Sequence, residues 1–209
     1  ISPLSENITE SSIEGEWELI YSSVELFRSS PFFMAIEKAL NNKEKSDLFF
    51  KLHLLQVGSF GLSTVGRVGQ HLDFKEGKII STFDTTIFGL TTIPILGWFK
   101  LFPTFGGRVI TLGKALRLTH DNKLNMELEK TKVSTIPGVG RIPLLNRILM
   151  EKWYPVNAVW KLLPWNKGNP DCEVTIVYID EDIRIVRDMY DALFIYVRPS
   201  ISLIEKTKI

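Results

Sequence analysis

The chain opens on a strict alternation. Between Glu14 and Tyr21, the residues Trp17, Leu19 and Tyr21 fall on one side of an extended segment and Glu14, Glu16 and Glu18 on the other. That period of two predicts a strand with one dry face. The pattern then changes. Ser29-Ser30-Pro31 puts a serine where it can cap a helix whose first residue is proline. Phe32, Phe33, Ile36 and Leu40 share one helical stripe, which Asn41-Asn42 ends. One short helix is expected here, covering an open end or an edge of the sheet, with core packing the preferred role of its phenylalanines. After a charged turn, strands are expected over residues 48–57, 64–74, 78–88, 107–119, 123–130, 173–179, 183–186 and 193–198. Glu76-Gly77 and Asp121-Asn122 make turns; past the second, Leu124, Met126 and Leu128 alternate with Asn125, Glu127 and Glu129. Strands joined by short turns predict an antiparallel meander, and rolling it into a closed β-barrel removes the exposed edges. The expectation is a single, mainly β domain over residues 1–209.

Three features depart from this pattern. Along Ile110, Leu112, Lys114, Leu116 and Leu118 the lysine sits on the apolar phase. Either a bulge at Gly113 shifts the register, which is preferred, or Lys114 points into the cavity as a polar anchor. Residues 88–106 form a first apolar insertion, with Lys100 as its only charge. Residues 133–170 form a second, in which Pro137, Pro143, Pro155, Pro164 and Pro170 exclude one continuous helix or strand. Within it Pro143 can start a helix with Leu144, Leu145, Ile148 and Leu149 on one face.

The tryptophans follow the insertions. Trp17 alone lies on an expected barrel strand; Trp98 is in the first insertion, and Trp153, Trp160 and Trp165 are in the second, among Arg141, Arg147, Lys152, Lys161 and Lys167. Tryptophan with lysine or arginine suits a membrane interface or a protein–protein hot spot. The alternative is that the insertions fold over the barrel and bury each other. The candidate docking residues are Trp98, Phe99, Trp153, Trp160 and Trp165, with Lys152 and Lys161.

Composition narrows the function. A formal net charge of +1 provides no global field for nucleic acid. Cys172, the single cysteine, excludes an internal disulfide and a cysteine-rich metal site. His53, His71 and His120 stand in no metal-ligand spacing. The longest uncharged run, between Asp84 and Lys100, is broken by Gly89, Pro94 and Gly97 and is not a spanning helix, so membrane contact would be from the surface. The first residue is Ile1 rather than Met, which suggests a processed or trimmed start with any targeting segment out of view.

Two ends of the chain carry a resemblance. Gly15-Glu16-Trp17-Glu18-Leu19-Ile20-Tyr21-Ser22-Ser23 resembles the opening of the plastid-lipid-associated proteins, the plastid fibrillin family, whose Gly-x-Trp start is shared with lipocalin-like barrels. Tyr178-Ile179-Asp180-Glu181-Asp182-Ile183-Arg184-Ile185-Val186-Arg187 with Leu193-Phe194-Ile195-Tyr196-Val197 is similar to that family's close, and Gly66-Arg67-Val68-Gly69-Gln70 to its middle strand. After the second arginine the family has glycines where this chain has Asp188-Met189-Tyr190-Asp191-Ala192, so that turn is expected to be built differently. The resemblance implies a lipocalin-like barrel in a plastid (chloroplast), associated with thylakoid membranes or plastid lipid droplets. It implies affinity for a carotenoid, prenylquinone or other lipid, no required cofactor and no catalytic residues.

The chemistry of the residues agrees with a binding protein. Asp180, Glu181 and Asp182 beside Arg184 and Arg187 are read as a turn and its ion pairs, because the sequence supplies no partner for acid–base catalysis. Arg184 or Arg198 can cover Trp17 by a cation–π contact, and an arginine inside an apolar cup can instead hold a carboxylate head group. Two functions follow. In the first, an accessory subunit docks on the thylakoid membrane or a photosynthetic membrane complex through the two insertions. In the second, a carrier holds an apolar ligand against Trp17, Leu19, Tyr21, Phe83, Met126, Leu128, Arg184 and Phe194.

Overall fold

The structure, a computed structural model, describes residues 8–59, 65–87, 105–135, 151–156, 160 and 169–203. A four-residue helix α1 (Glu10–Ile13) precedes β1 (Gly15–Ser22). A 3-10 turn, Leu26–Ser29, leads to α2 (Pro31–Leu40) and α3 (Lys43–Ser59). The strands β2 (Val65–Asp73), β3 (Lys78–Ile87), β4 (Phe105–Leu118) and β5 (Lys123–Thr135) follow. After the short β6 (Tyr154–Pro155) come β7 (Asp171–Ile179), β8 (Ile183–Arg187) and β9 (Leu193–Val197). All lie in one nine-stranded antiparallel sheet of order β4-β3-β2-β1-β9-β8-β7-β5-β6. Because β4 also pairs with β5, the sheet returns on itself in a ring, with β6 attached beside β5. The mainly β, antiparallel expectation holds.

Register identifies the inner face. Trp17 lies opposite Gln70, Gln70 opposite Ser81, Ser81 opposite Thr111 and Thr111 opposite Thr131. Residues directly opposite share a face, so this row belongs to the side of the buried Trp17. Leu124, Met126 and Leu128 lie inside as their alternation requires.

The segment 48–57, expected as a strand, is helical instead, and the single short helix becomes three. Leu48, Phe49 and Phe50 are consecutive and fit either state. Their surroundings decide. The Asn42 side chain accepts from the Lys45 amide, and Lys43 pairs with Asp47 one turn on, 2.7 Å apart. Phe50 and His53 then pack on Phe27, with ring centroids 6.0 and 5.0 Å from it. Leu48 and Leu52 remain outside, more than half exposed. The helix at Pro31 stands where expected, ended by a left-handed Asn41, but the Ser30 side chain makes no capping hydrogen bond.

β4 resolves the misplaced lysine. Ile110 and Leu112 lie opposite Lys132 and Lys130, on the outer phase, and Lys114 shares it beside Glu127, 3.5 Å away. The register breaks at Leu112/Gly113 and again between Lys114 and Arg117, where Ala115 takes φ 53°. This second irregularity carries Leu116 inside. A register break does stand at Gly113 as expected, but it leaves Lys114 on the phase of Ile110 and Leu112; the phase changes only at Ala115, and Lys114 is exposed beside Glu127 rather than an anchor in the cavity. Ile110 and Leu112 are apolar on the outer phase because they too are covered.

Ala115 is the test of that irregularity. A non-glycine residue in the left-handed region carries about 1–2 kcal/mol of strain. Ala115→Gly is expected to raise the midpoint of denaturant unfolding, and Ala115→Val to lower it.

Candidate functional site

The segments that carry the sequence resemblance meet around Trp17. Its indole Nε1 donates to the Ile13 carbonyl at 2.7 Å, and the ring is fully buried. The Arg198 guanidinium lies over one part of the ring, 3.7 Å from the centroid. Its nitrogens donate to the carbonyls of Ser12, Glu14, Glu16 and Glu181. Arg198 thus ties the end of α1 and the start of β1 to the turn before β8. Gly15 is required there for two reasons. Its φ is +104°, and a Cβ would stand 2.9 Å from the Arg198 Nη1. Glu18 receives a bidentate pair from Arg67, at 2.7 and 2.8 Å, which joins β1 to β2.

A second guanidinium lies deeper. Arg184, on the inner face of β8, is 1% exposed and sits 4.5 Å from the Tyr196 ring centroid and 5.0 Å from that of Trp17. Its Nη2 donates to Gln70 Oε1 at 2.6 Å, and Gln70 Nε2 donates to the Tyr196 hydroxyl at 3.2 Å. Its Nε and Nη1 have no hydrogen-bond partner among the described residues. Burial pushes this guanidinium down to about 10, which leaves it charged at neutral pH. Burial likewise pushes the Tyr196 phenol up to about 12, so Tyr196 remains a neutral partner. Arg184, Gln70 and Tyr196 border a cavity of ≈ 10 Å³ whose other walls include Met34, Leu124, Met126 and Val174. That volume suits about one water molecule.

Of the residues expected to face a ligand, Met126 and Arg184 line this cavity. Trp17, Leu19, Leu128 and Phe194 are packed into the core, and Phe83 is half-buried against it. Tyr21 departs from the expected face. A register shift between Leu19 and Tyr21 aligns Tyr21 with Ile195, and the tyrosine is 49% exposed. The extra residue, Ile20, turns the remainder of β1 over. Gln70 and Tyr196 were not among the expected site residues. The sequence signal for Tyr196 was its place two residues after Phe194, on the inward phase of β9.

The expected docking residues divide. Trp160 is 2% exposed and belongs to the core with the fully buried Val156, so its side chain is not a surface anchor. Trp153 is half-buried over the outer face of β5, 4.9 Å from Lys130 Nζ and 4.6 Å from Lys132 Nζ. Lys152 is exposed. Trp98, Phe99, Trp165, Lys161 and the helix expected from Pro143 lie outside the described residues.

Two further clusters shape the ring's end. Glu37 of α2 is buried and accepts from Arg28 at 2.6 Å. Burial and the Asp188 charge push its carboxyl up to about 7 against the pull of Arg28. A proton held there gives Asp188 Oδ2 the donor it otherwise lacks. Asp188 Oδ1 accepts from the Tyr190 and Ala192 amides, and Asp191 takes φ 66°. The turn from β8 to β9 is therefore built on an aspartate side chain and a left-handed Asp191. Cys172 is buried with its thiol pushed up to about 12, which keeps it unreactive.

No protein-family model matches this chain, and no curated protein is significantly similar to it. Its geometry defines a mainly β protein built on one antiparallel ring, with an arginine–tryptophan lock at one place and a buried cation beside it. Among the described residues no cluster of histidine, cysteine and carboxylate side chains could hold a metal ion, and no helix is long and apolar enough to cross a membrane.

Two outcomes follow from these contacts. Trp17→Ala is expected to destabilise the fold by about 3–5 kcal/mol as a large-to-small core change; wild-type stability in urea would show that the ring does not depend on it. Glu37 binds a proton more tightly folded than unfolded. Its stabilising contribution is complete below pH about 4.5 and is lost as pH rises to about 7. Glu37→Gln keeps an acceptor for Arg28 and offers Asp188 a permanent donor. Unfolding free energies measured from pH 4.5 to 8 should fall less steeply for this variant, by on the order of 1–3 kcal/mol across the window.

Proposed function

We propose that this chain is a lipocalin-like barrel of the plastid-lipid-associated kind, a non-enzymatic accessory subunit held on the thylakoid membrane or on a photosynthetic membrane complex. The observation that carries this reading is the packing of the interior among the described residues. Trp17, Arg184 and Tyr196 stack where a carrier would keep its ligand, and the space beside them is ≈ 10 Å³. Where the described interior is occupied by the chain's own side chains, the outside is left to do the binding. The convergence of Gly15, Trp17, Gln70 and Arg184 on one contact network, closed by Arg198 just beyond, supports the lipocalin-like assignment, since the first four come from the three segments that carry the resemblance.

A second reading is favoured by one specific observation. Among the described residues the buried Arg184 leaves Nε and Nη1 unpartnered beside walls that include Met34 and Met126. Methionines adapt their shape readily. A carrier of a lipid with an acidic head group would place its carboxylate there.

One preparation separates the two. Protein purified from thylakoid membranes of its native source is expected to migrate with a membrane complex on native gels. Its organic extract should hold far less than one carotenoid, prenylquinone or lipid per chain. A near-stoichiometric extract from a chain that migrates alone would overturn the accessory reading in favour of the carrier. Replacing Trp98, Phe99 and Trp165 together by alanine should release the chain from the membrane fraction without lowering its unfolding temperature. Retention there would remove the insertions from the docking assignment.

A further inference from the structure

Where this chain takes an arginine away from the surface, it supplies something to meet the charge. Arg28, 9% exposed, holds Glu37 at 2.6 Å, and the half-buried Arg108 holds Asp84 at 2.6 Å. Arg198 has its four carbonyls and the charge of Asp182 nearby. Arg184 is the exception. It lies deepest, and no carboxylate among the described residues pairs with it. Its Nη2 is spent on the neutral Gln70. Burial opposes its charge, and the neighbouring Arg198 adds a second cation. An ion taken out of water without a counter-charge is strongly destabilising, and the faces of Trp17 and Tyr196 return only part of that. The remaining donors, Nε and Nη1, belong to a side chain that borders the cavity of ≈ 10 Å³, whose other walls include Met34, Met126 and Val174.

We propose that Arg184 holds one monatomic anion of halide size in this cavity, chloride under ordinary conditions, bound by its Nε and Nη1 hydrogens. Charge and size select the ion together. An anion needs donors alone, and the guanidinium has two left to give. A water molecule would fill the same space but bring no charge. It would also need acceptors for its own hydrogens, which walls of leucine, methionine and valine do not supply. A carboxylate or phosphate brings further atoms, for which ≈ 10 Å³ leaves no room with these walls in place. Chloride is little larger than water, so it brings the charge without the bulk. The ion is compatible with the accessory reading and competes with the carrier reading for the same two nitrogens.

Urea unfolding of the full recombinant chain reads the ion directly, with chloride raised against gluconate at constant ionic strength so that screening does not change. Gluconate is too large for the cavity. Above the dissociation constant of the ion, the unfolding equilibrium constant is expected to fall about tenfold for each tenfold rise in chloride. Gln70→Glu puts a carboxylate where Arg184 Nη2 already donates, which supplies the counter-charge from within. Its stability should be flat across the same series. Arg184→Met, which removes the cation, should also be flat if it folds. Crystals grown in bromide should show an anomalous peak beside Nε and Nη1 of Arg184. A flat wild-type series overturns the inference, as does a chloride dependence that Gln70→Glu retains. A bromide peak without the chloride dependence marks an adventitious ion only and overturns it as well. So does a chain that ignores chloride and is purified with stoichiometric fatty acid, an outcome that gives both nitrogens to the carrier reading.

Discussion

Trp17 lies within reach of two guanidinium groups, and the rest of the structure is arranged to make that tolerable. Arg198 approaches the ring to 3.7 Å and spends its nitrogens on four carbonyls, so its charge is met by backbone dipoles. Those carbonyls belong to α1, to the opening of β1 and to the turn before β8, and one side chain thereby holds three parts of the chain. Gly15 follows as a necessity, because the left-handed φ and the nearby Nη1 both exclude a Cβ. Arg184 has no such set of carbonyls. It is held by two aromatic faces and by Gln70, and cation–π contacts of about 0.5–2 kcal/mol each are modest against the cost of burying an ion.

How much of this was legible in the sequence depended on whether a residue's role was set locally. The alternation in β1 and β5, Pro31 at a helix start and the turn at Asp121-Asn122 are short-range patterns, and the structure has them where the sequence puts them. The arginine over Trp17 was foreseen as Arg184 or Arg198, and both take part. Periodicity misled where tertiary contacts made the choice. Residues 48–57 carry enough leucine and phenylalanine for either state, and the aromatic cluster with Phe27 and Phe33 settles them as helix. Tyr21 was placed inside because an uninterrupted period of two continues there; a bulge at Ile20 leaves no signature in composition. Trp160 was read as an outer anchor because its neighbours in sequence are basic, yet it is the core that receives it.

The outer phase of β4 and the outer phase of β8 and β9 offer an instructive contrast. Ile110 and Leu112 are apolar on the outside, and both are buried; Trp153 lies over the lysines opposite them. The chain evidently supplies a cover when it places aliphatic residues on that side of the ring. Ile20, Ile183 and Val177 are equally apolar and remain between 36% and 59% exposed.

β8 concentrates both anomalies in five residues, Ile183-Arg184-Ile185-Val186-Arg187. It turns a cation into the ring and two isoleucines out of it, the reverse of what an isolated domain would select. Exchanging Arg184 with Ile185 alone would serve stability better on each side, since the guanidinium would regain water and an isoleucine would leave it. A local arrangement that is unfavourable on both faces at once is expected where a sequence answers to something besides its own folding. The inner violation is bounded by Trp17, Tyr196 and a space of ≈ 10 Å³, so little else can enter there without rearrangement. The outer one leaves Ile183 36% exposed, with Ile20 and Val177 of nearby strands more so, and it is on that side that the strand has room to meet another molecule.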